Sequence, residues 1–132
     1  MPIEIQMRDG VIEAVCHGKY TAQDIRKWAE TVGKWESQLE VAPDRITDLS
    51  AANVSDLLSS EVLDFAVQRR GAKLKNRVKS AIIAPDPVQF GLARIFQTCG
   101  ENPDIELRLF KDSESAYKWV GLAARTAPAP DA

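Results

Sequence analysis

The amino-acid sequence predicts an α/β domain with a mainly parallel sheet, an N-terminal antiparallel hairpin and helices mostly on one face. Three observations predict it. Two alternating apolar segments flank an Asp9-Gly10 pair, later strand-like segments alternate with helical ones, and the segment 80–84 is apolar on both sides. Strands that alternate with helices form parallel sheets through right-handed crossovers. The predicted order of elements is therefore β-β-α-β-α-β-α-β-α.

The Asp9-Gly10 pair predicts a two-residue type I′ hairpin turn, because both residues accept the positive φ that this turn requires. The turn sets a register in which Ile3 lies opposite Cys16, and directly opposed residues share one face of the sheet. The apolar face comprises Ile3, Ile5, Met7, Ile12, Ala14 and Cys16. The other face comprises Glu4, Gln6, Arg8, Glu13 and His17. We expect solvent to cover this second face.

A first helix begins at a variant capping box, Thr21-Ala-Gln-Asp24, in which Asp replaces the usual Glu. Its apolar stripe comprises Ile25, Trp28, Ala29, Val32, Trp35 and Leu39. Pro43 interrupts the helical pattern. Residues 45–49 then predict a short strand, and residues 51–55 predict a polar loop.

The next segments repeat the alternation of strand and helix. We expect a second helix over roughly residues 60–73 and a central buried strand over 80–84. A third helix is predicted to begin at Asp86-Pro87, where Asp can cap and Pro suits the first helical position. We expect Gly100 to end that helix.

The last strand and helix complete a single predicted domain over residues 1–122. Apolar and charged residues alternate over 105–109, which predicts a strand with one solvent-exposed face. Asp112 or Ser113 is predicted to cap the final helix. The remaining stretch, 123–132, is rich in Ala and Pro and has no periodicity. That composition predicts a disordered tail.

Length and composition describe an ordinary globular chain. Its 132 residues are 45% apolar and 27% charged, and its net charge of −2 provides no overall positive field for nucleic acid or an acidic membrane. No apolar run approaches the roughly 18–20 residues that span a bilayer, and no signal-peptide pattern is present. Cys16 and Cys99 are predicted as buried free thiols, which favours a cytoplasmic location.

The sequence contains no recognisable constellation for catalysis or metal binding. His17 is the only histidine, and the neighbouring Cys16 points to the opposite face of the same strand. A catalytic dyad or a metal site needs converging partners, which a single His without a Cys/His cluster does not supply locally. The seven glycines form no phosphate-binding loop. We therefore expect no enzymatic activity, no metal and no cofactor.

Three local patterns, in this order of elements, carry a family resemblance. The first is Asp48-Leu49-Ser50 at a strand end, followed by a loop and a helix. The second is Phe-Gly-Leu-Ala-Arg-Ile-Phe over residues 90–96, and the third is Leu-Phe-Lys-Asp-Ser-Glu-Ser-Ala-Tyr-Lys-Trp-Val over 109–120. Over nearly the whole chain the sequence resembles the STAS-like (sporulation anti-anti-sigma antagonist-like) superfamily. The particular resemblance is to its bacterial SpoIIAA-like, STAS/SEC14-like branch.

The resemblance implies a non-catalytic regulatory module that binds a protein partner. In signalling members of that superfamily, an Asp-Ser pair shortly after the Asp-Leu-Ser-like strand end carries a regulatory phosphoserine. Counting along this chain places Asp56 and Leu57 at that pair, so the usual phosphoacceptor is missing. Ser55, Ser59 and Ser60 lie close by, and whether one of them is phosphorylated is left open.

Polar and basic residues define a candidate partner surface. It comprises Asp48, Ser50, Asn53, Ser55, Asp56, Arg69 and Arg70. Ligands of open α/β sheets bind beyond the carboxyl ends of the strands, although Asp and Ser also favour turns and caps for local reasons. The basic run over 69–79 is first interpreted as a solvated helix end, where cations are favoured. If it binds a partner, it fits an acidic protein surface rather than nucleic acid, because no aromatic residue is interleaved for base stacking. Whether the wetter sheet face forms a homodimer is left open.

An alternative function is a carrier that holds a small apolar, lipid-like ligand between sheet and helices, as the SEC14-like resemblance implies. This hypothesis predicts an internal apolar pocket of about 300 Å³ or more. The predicted lining residues are Trp28, Phe65 and Phe96.

Overall fold

The computed structural model describes residues 3–122, which form five strands and four helices. The strands are β1 (Ile3–Arg8), β2 (Val11–Lys19), β3 (Arg45–Asn53), β4 (Val78–Ile83) and β5 (Ile105–Phe110). The helices are α1 (Ala22–Gln38), α2 (Ser59–Arg70), α3 (Pro87–Cys99) and α4 (Ser113–Val120). The predicted tail, 123–132, lies outside the described residues.

The strands form one sheet in the order β1-β2-β3-β4-β5, with β1 antiparallel to β2 and the other neighbouring pairs parallel. Helices α1, α2 and α3 share a core with strand residues such as Ile12 and Ile82, on what we call the three-helix face. Helix α4 packs over Ile46 and Ala81 on the opposite face, which we call the α4 face. This arrangement confirms the predicted fold class, with its helices mostly on one face.

The N-terminal hairpin forms as the Asp9-Gly10 pair predicts. Both turn residues have positive φ, 52° at Asp9 and 78° at Gly10, as a type I′ turn requires. The register pairs Ile3 with Cys16, and both side chains are buried in the core of the three-helix face.

Helix starts follow the predicted capping residues. The Asp24 carboxylate accepts a hydrogen bond from the Thr21 backbone N at 2.8 Å, which closes the variant capping box of α1. The Asp86 carboxylate accepts from the Val88 backbone N at 2.7 Å. Asp112, rather than the serine that follows it, caps α4.

Two element boundaries differ from the sequence-based prediction. Strand β3 continues to Asn53 instead of ending at residue 49, so most of the predicted polar loop over 51–55 is strand. The extension forms because the end of β2 is long enough to pair with it, from His17 to Lys19. Helix α2 ends at Arg70, three residues before the predicted end at 73.

The second face of the hairpin is less open to solvent than the sequence predicts. Glu13 is 0% exposed, because α4 covers it and the Tyr117 hydroxyl donates a hydrogen bond to its carboxylate. Arg8 also reaches Glu13, with its Nε at 3.1 Å. The prediction was wrong at Glu13, since period-two alternation does not reveal a helix that returns from the far end of the chain.

The two cysteines lie in different surroundings. Cys16 is buried and Cys99 is partly exposed, and neither forms a disulfide. The prediction of a buried thiol is therefore confirmed for Cys16 and too strong for Cys99. Among the described residues, no helix is both long and apolar enough to cross a membrane.

Candidate functional site

Asp48 and Ser50 stabilise an irregularity in β3. Between β2 and β3 the pairing shifts, so that three steps along β3, from Asp48 to Ala51, match two steps along β2, from Val15 to His17. Such a mismatch is a β-bulge, which bends the strand and breaks the regular ladder. The Asp48 carboxylate accepts from the Ser50 backbone N at 2.9 Å and from its hydroxyl at 2.6 Å. Both side chains therefore have a local structural role at the bulge.

Asn53, Ser55 and Asp56 follow the end of β3. The Asn53 side-chain oxygen accepts from the Ser55 backbone N at 2.9 Å, which forms a local turn. The Asp56 carboxylate lies 3.4 Å from the Lys19 ammonium at the surface. Leu57, at the position where the resemblance would place a serine, is buried.

Gln89 is a buried polar residue that the sequence analysis missed. Its Nε2 donates to the carbonyl oxygens of Leu49, within the bulge, and of Ala52, just beyond it, at 2.7 and 2.9 Å. Its Oε1 accepts from the Asp86 backbone N at 3.1 Å. One amide therefore caps α3 and joins it to β3. The Asp-x-x-Gln spacing of a capping box was the available signal.

Arg69 does not lie with the other members of the predicted partner surface. Its guanidinium lies 3.2 Å from the Glu36 carboxylate and 5.5 Å from the centre of the Trp28 ring. Glu36 also binds Arg45, the first residue of β3. Asn53 lies eight residues further along that strand, at about 3.3 Å per residue. The predicted surface is therefore divided between the two ends of the sheet.

Helix α2 exposes apolar side chains on its outer side. Leu63 and Val67 are 41% and 47% exposed, and Arg70 follows them on the same side of the helix at the i+7 position. Leu58, which precedes the helix, is also exposed. We call Leu58, Leu63, Val67 and Arg70 the α2 stripe. The inner side of the same helix, at Val62 and Ala66, packs into the core.

The three predicted pocket residues do come together. The Phe65 ring meets the edge of Trp28 with centroids 5.8 Å apart and stacks on Phe96 at 5.3 Å. The apolar cavity beside them holds about 80 Å³. That volume is well below the roughly 300 Å³ that the carrier hypothesis predicts, because the rings pack against each other and fill the space.

A larger groove of about 680 Å³ opens next to these rings, between the second half of α3 and β5. Arg45, Ser80 and Leu107, which are paired across β3, β4 and β5, form its floor. Arg94 and Phe96 of α3 line its side. The groove lies at the amino ends of the parallel strands, opposite to the end where the sequence analysis expected a site.

Arginine dominates the electrostatics of this groove. Arg45, Arg69 and Arg94 all line it, and Glu36 lies behind the first two. Burial lowers the pKa of Arg45, and the hydrogen bond to Glu36 opposes that change. No local sequence pattern indicates this cluster, because its members come from different elements of the chain.

The single histidine lies away from the groove. His17 Nε2 is 3.0 Å from the Glu4 carboxylate, and both side chains are exposed. Burial raises the pKa of the adjacent Cys16 thiol to about 12. Across residues 3–122, no group of three or more His, Cys, Asp or Glu side chains is placed to hold a metal ion.

Comparison with solved structures identifies the fold. The chain is similar to an uncharacterized protein of the DUF3478 family with a SpoIIAA-like fold, from Shewanella loihica PV-4. The TM-score is 0.56 and the identity 16%, over 89% of this chain and 91% of that one. No family model and no curated protein matches the sequence.

The class that this comparison defines is the SpoIIAA-like, or STAS-like, α/β fold. The resemblance inferred from the three sequence patterns is thereby confirmed at the level of the fold.

Proposed function

We propose that this domain is a non-enzymatic regulatory module that binds a protein partner through the α2 stripe. The main observation in support of this proposal is that Leu63 and Val67 are substantially exposed on a helix whose other side is already buried in the core. Arginine is enriched at the anchors of protein interfaces, and exposed apolar side chains that are grouped on one surface mark interaction sites. The SpoIIAA-like fold agrees with such a role.

The chemistry of the stripe defines the partner that would fit it. Leu58, Leu63 and Val67 offer an apolar centre, and Arg70 supplies a positive charge at the C-terminal end of the helix. The complementary surface is an apolar protein segment flanked by carboxylates. Because Leu57 is buried where the resemblance would place a phosphoserine, we propose that binding does not depend on phosphorylation at that position.

The two unpaired cysteines support a reducing, cytoplasmic setting for this interaction. The residues of the candidate partner surface predicted from the sequence have different roles in this proposal. Ser55 and Asp56 precede the start of α2 by a few residues, whereas Asp48 and Ser50 stabilise the bulge.

The experiment compares capture of a partner by immobilised full-length chain and by surface variants, from a lysate of the source cells. We expect a Leu63→Glu/Val67→Glu variant and an Arg70→Glu variant to lose at least about tenfold in affinity for the captured protein, or about 1.4 kcal/mol. The matched control is Val41→Glu, at a residue that is 67% exposed but lies beyond α1. The control should bind like the parent.

Cross-linking then identifies the partner segment that lies on the stripe. A photo-reactive side chain at position 58 should label an apolar segment that contains Asp or Glu. The proposal is overturned if the charged α2 variants retain each captured protein, if the labelled segment is basic, or if the captured chain is a second copy of this protein.

A further inference from the structure

The groove between α3 and β5 contains two buried donors that lack acceptors. Over residues 3–122, the buried side-chain nitrogens without a hydrogen-bond partner are Trp28 Nε1 and Arg45 Nε. Trp28 is 7% exposed and Arg45 is 1% exposed, and both residues line this groove. A buried donor that lacks an acceptor destabilises the folded state. Two such donors at one groove indicate a place for a ligand that carries acceptor oxygens.

The charge around the groove specifies the charge of that ligand. Three guanidinium groups line it, those of Arg45, Arg69 and Arg94. The lining also contains one carboxylate, Glu101, and Glu36 pairs with Arg45 and Arg69. Because Arg45 and Arg69 already share the Glu36 carboxylate, Arg94 is the groove arginine that remains for a ligand. One remaining arginine favours a ligand with a single negative charge.

Arg94 is the arginine best placed for direct contact with a ligand. It is exposed on α3, whereas Arg45 and Arg69 share the carboxylate of Glu36. The remaining lining includes apolar side chains, among them Phe96, Ile105 and Leu107. The groove volume of about 680 Å³ lies within the range of small-molecule sites.

We propose that this groove binds a small organic monoanion, a carboxylate attached to an apolar body. The carboxylate pairs with Arg94, and a small rotation of Trp28 or Arg45 brings a buried donor to one of its oxygens. The apolar body packs on Phe96 and Leu107. This site is separate from the α2 stripe, so it adds a ligand to the proposed regulatory module and does not depend on the protein partner.

The C-terminal ends of α2 and α3 offer a competing explanation for the arginines. Helix C-termini carry partial negative charge, which nearby cations stabilise. That explanation accounts for Arg69, at the end of α2. It does not account for the two donors without acceptors, which no helix end in the described chain satisfies.

The test is titration of the purified full-length chain with small probes. The carboxylate probes are phenylbutyrate, indole acetate and decanoate. Phenylbutanol is the uncharged control compound, and phenyl phosphate is the dianionic control compound. We expect at least one carboxylate to bind in the micromolar to millimolar range, and to bind at least about tenfold tighter than phenylbutanol or phenyl phosphate.

Nuclear magnetic resonance supplies a readout specific to the site. The indole N–H signal of Trp28, assigned with a Trp28→Phe variant, should shift when a carboxylate binds. The signal of Trp119 should not, because that residue belongs to α4 on the opposite face. Arg94→Glu should weaken binding at least about tenfold, and Arg70→Glu, at another exposed arginine, should leave it unchanged.

These variants separate the two proposals, because Arg94→Glu should leave the protein partner bound and Arg70→Glu should not. The groove proposal is overturned if no carboxylate binds at up to about 5 mM, a concentration that still detects weak ligands. It is also overturned if phenylbutanol or phenyl phosphate binds as tightly, or if Arg94→Glu has no effect.

Discussion

The Tyr117 hydroxyl donates a hydrogen bond to the buried Glu13 carboxylate, and this contact joins the last helix to the N-terminal hairpin. Two further side chains of the hairpin hold the same carboxylate, Gln6 through Nε2 at 3.0 Å and Arg8 through Nε at 3.1 Å. Burial of a carboxylate is unfavourable unless it is paired and hydrogen-bonded. Here the partners allow α4 to cover a sheet face that carries a charge.

Glu13 should make the stability of the domain depend on pH in the acidic range. Burial alone would raise the pKa of Glu13, but hydrogen bonds from Arg8, Tyr117 and Gln6 outweigh it and lower the pKa from 4.5 to about 2. The unfolded state therefore binds the proton more readily than the folded state. The stabilisation, on the order of 3 kcal/mol, is present above about pH 4.5 and is lost as the pH falls towards 2.

The measurement is urea unfolding of the parent and of Glu13→Gln between pH 7 and pH 2. We expect the variant to be less stable at neutral pH and to lose less stability in acid than the parent. Glu30→Gln, at an exposed position on α1, is the control and should follow the parent. Parallel curves for the parent and Glu13→Gln would contradict the role assigned to this carboxylate.

Removing the Gln89 amide should destabilise the junction of α3 with β3. Gln89→Leu leaves the carbonyl oxygens of Leu49 and Ala52 buried without their donor, and we expect a loss of about 3 kcal/mol. Gln89→Glu should be at least as harmful at neutral pH, because a carboxylate accepts but cannot donate to a carbonyl. Chemical denaturation measures the stability of both Gln89 variants. Gln23→Leu, at an exposed position on α1, is the control. A change below about 1 kcal/mol in both variants would refute the assignment.

The ion pairs of Glu36 should be coupled to the burial of Arg45. Glu36→Gln leaves the Arg45 guanidinium buried without its carboxylate, and we expect a loss of about 3 kcal/mol. In an Arg45→Met background the same substitution should cost much less, because the buried charge is gone. A double-mutant cycle from denaturation curves measures this difference. Equal costs in both backgrounds would show that the pair is not coupled.

Two glycines near the same helix should respond in opposite directions to alanine. At Gly100 an added Cβ would lie 2.8 Å from the Phe96 carbonyl oxygen and 3.2 Å from that of Ala66, so the backbone must shift. We expect Gly100→Ala to cost about 2 kcal/mol. At Gly91, inside α3, no heavy atom other than those of the adjacent residues and the helix's own backbone lies within 4 Å of the added Cβ. Gly91→Ala should stabilise by about 1 kcal/mol.

Thermal and chemical unfolding test this pair together. Gly91→Ala serves as the matched control for Gly100→Ala, since both add the same methyl group to α3 or its end. Destabilisation by both substitutions, or by neither, would contradict the close approach of α2 and α3 at Gly100.

The two thiols should react at very different rates. Cys16 is buried, and burial raises its pKa to about 12, so almost no thiolate forms at pH 8. Cys99 is partly exposed. A disulfide reagent should therefore modify Cys99 in the folded protein and reach Cys16 only in denaturant. A Cys99→Ser variant should show almost no reaction until it unfolds, and rapid labelling of that folded variant would contradict the burial of Cys16.

The sequence by itself determined the elements that depend on local chemistry. Asp9-Gly10 specified a turn with positive φ at both positions, and hence the pairing of Ile3 with Cys16. Asp86 and Asp112 specified helix starts through caps. The alternation of strands and helices specified the α/β class, because each element needs one apolar face that a neighbour can bury.

Only the tertiary structure decided which distant residues meet. The burial of Glu13 depends on Tyr117, which is 104 residues away, and the groove depends on Arg45, Arg69 and Arg94 from three different elements. Periodicity and caps report interactions within a few residues, so they carry no signal for these contacts. The predicted surface likewise separated into two ends of the sheet, because Arg69 turns inward to Glu36 while Asp56 stays near Lys19.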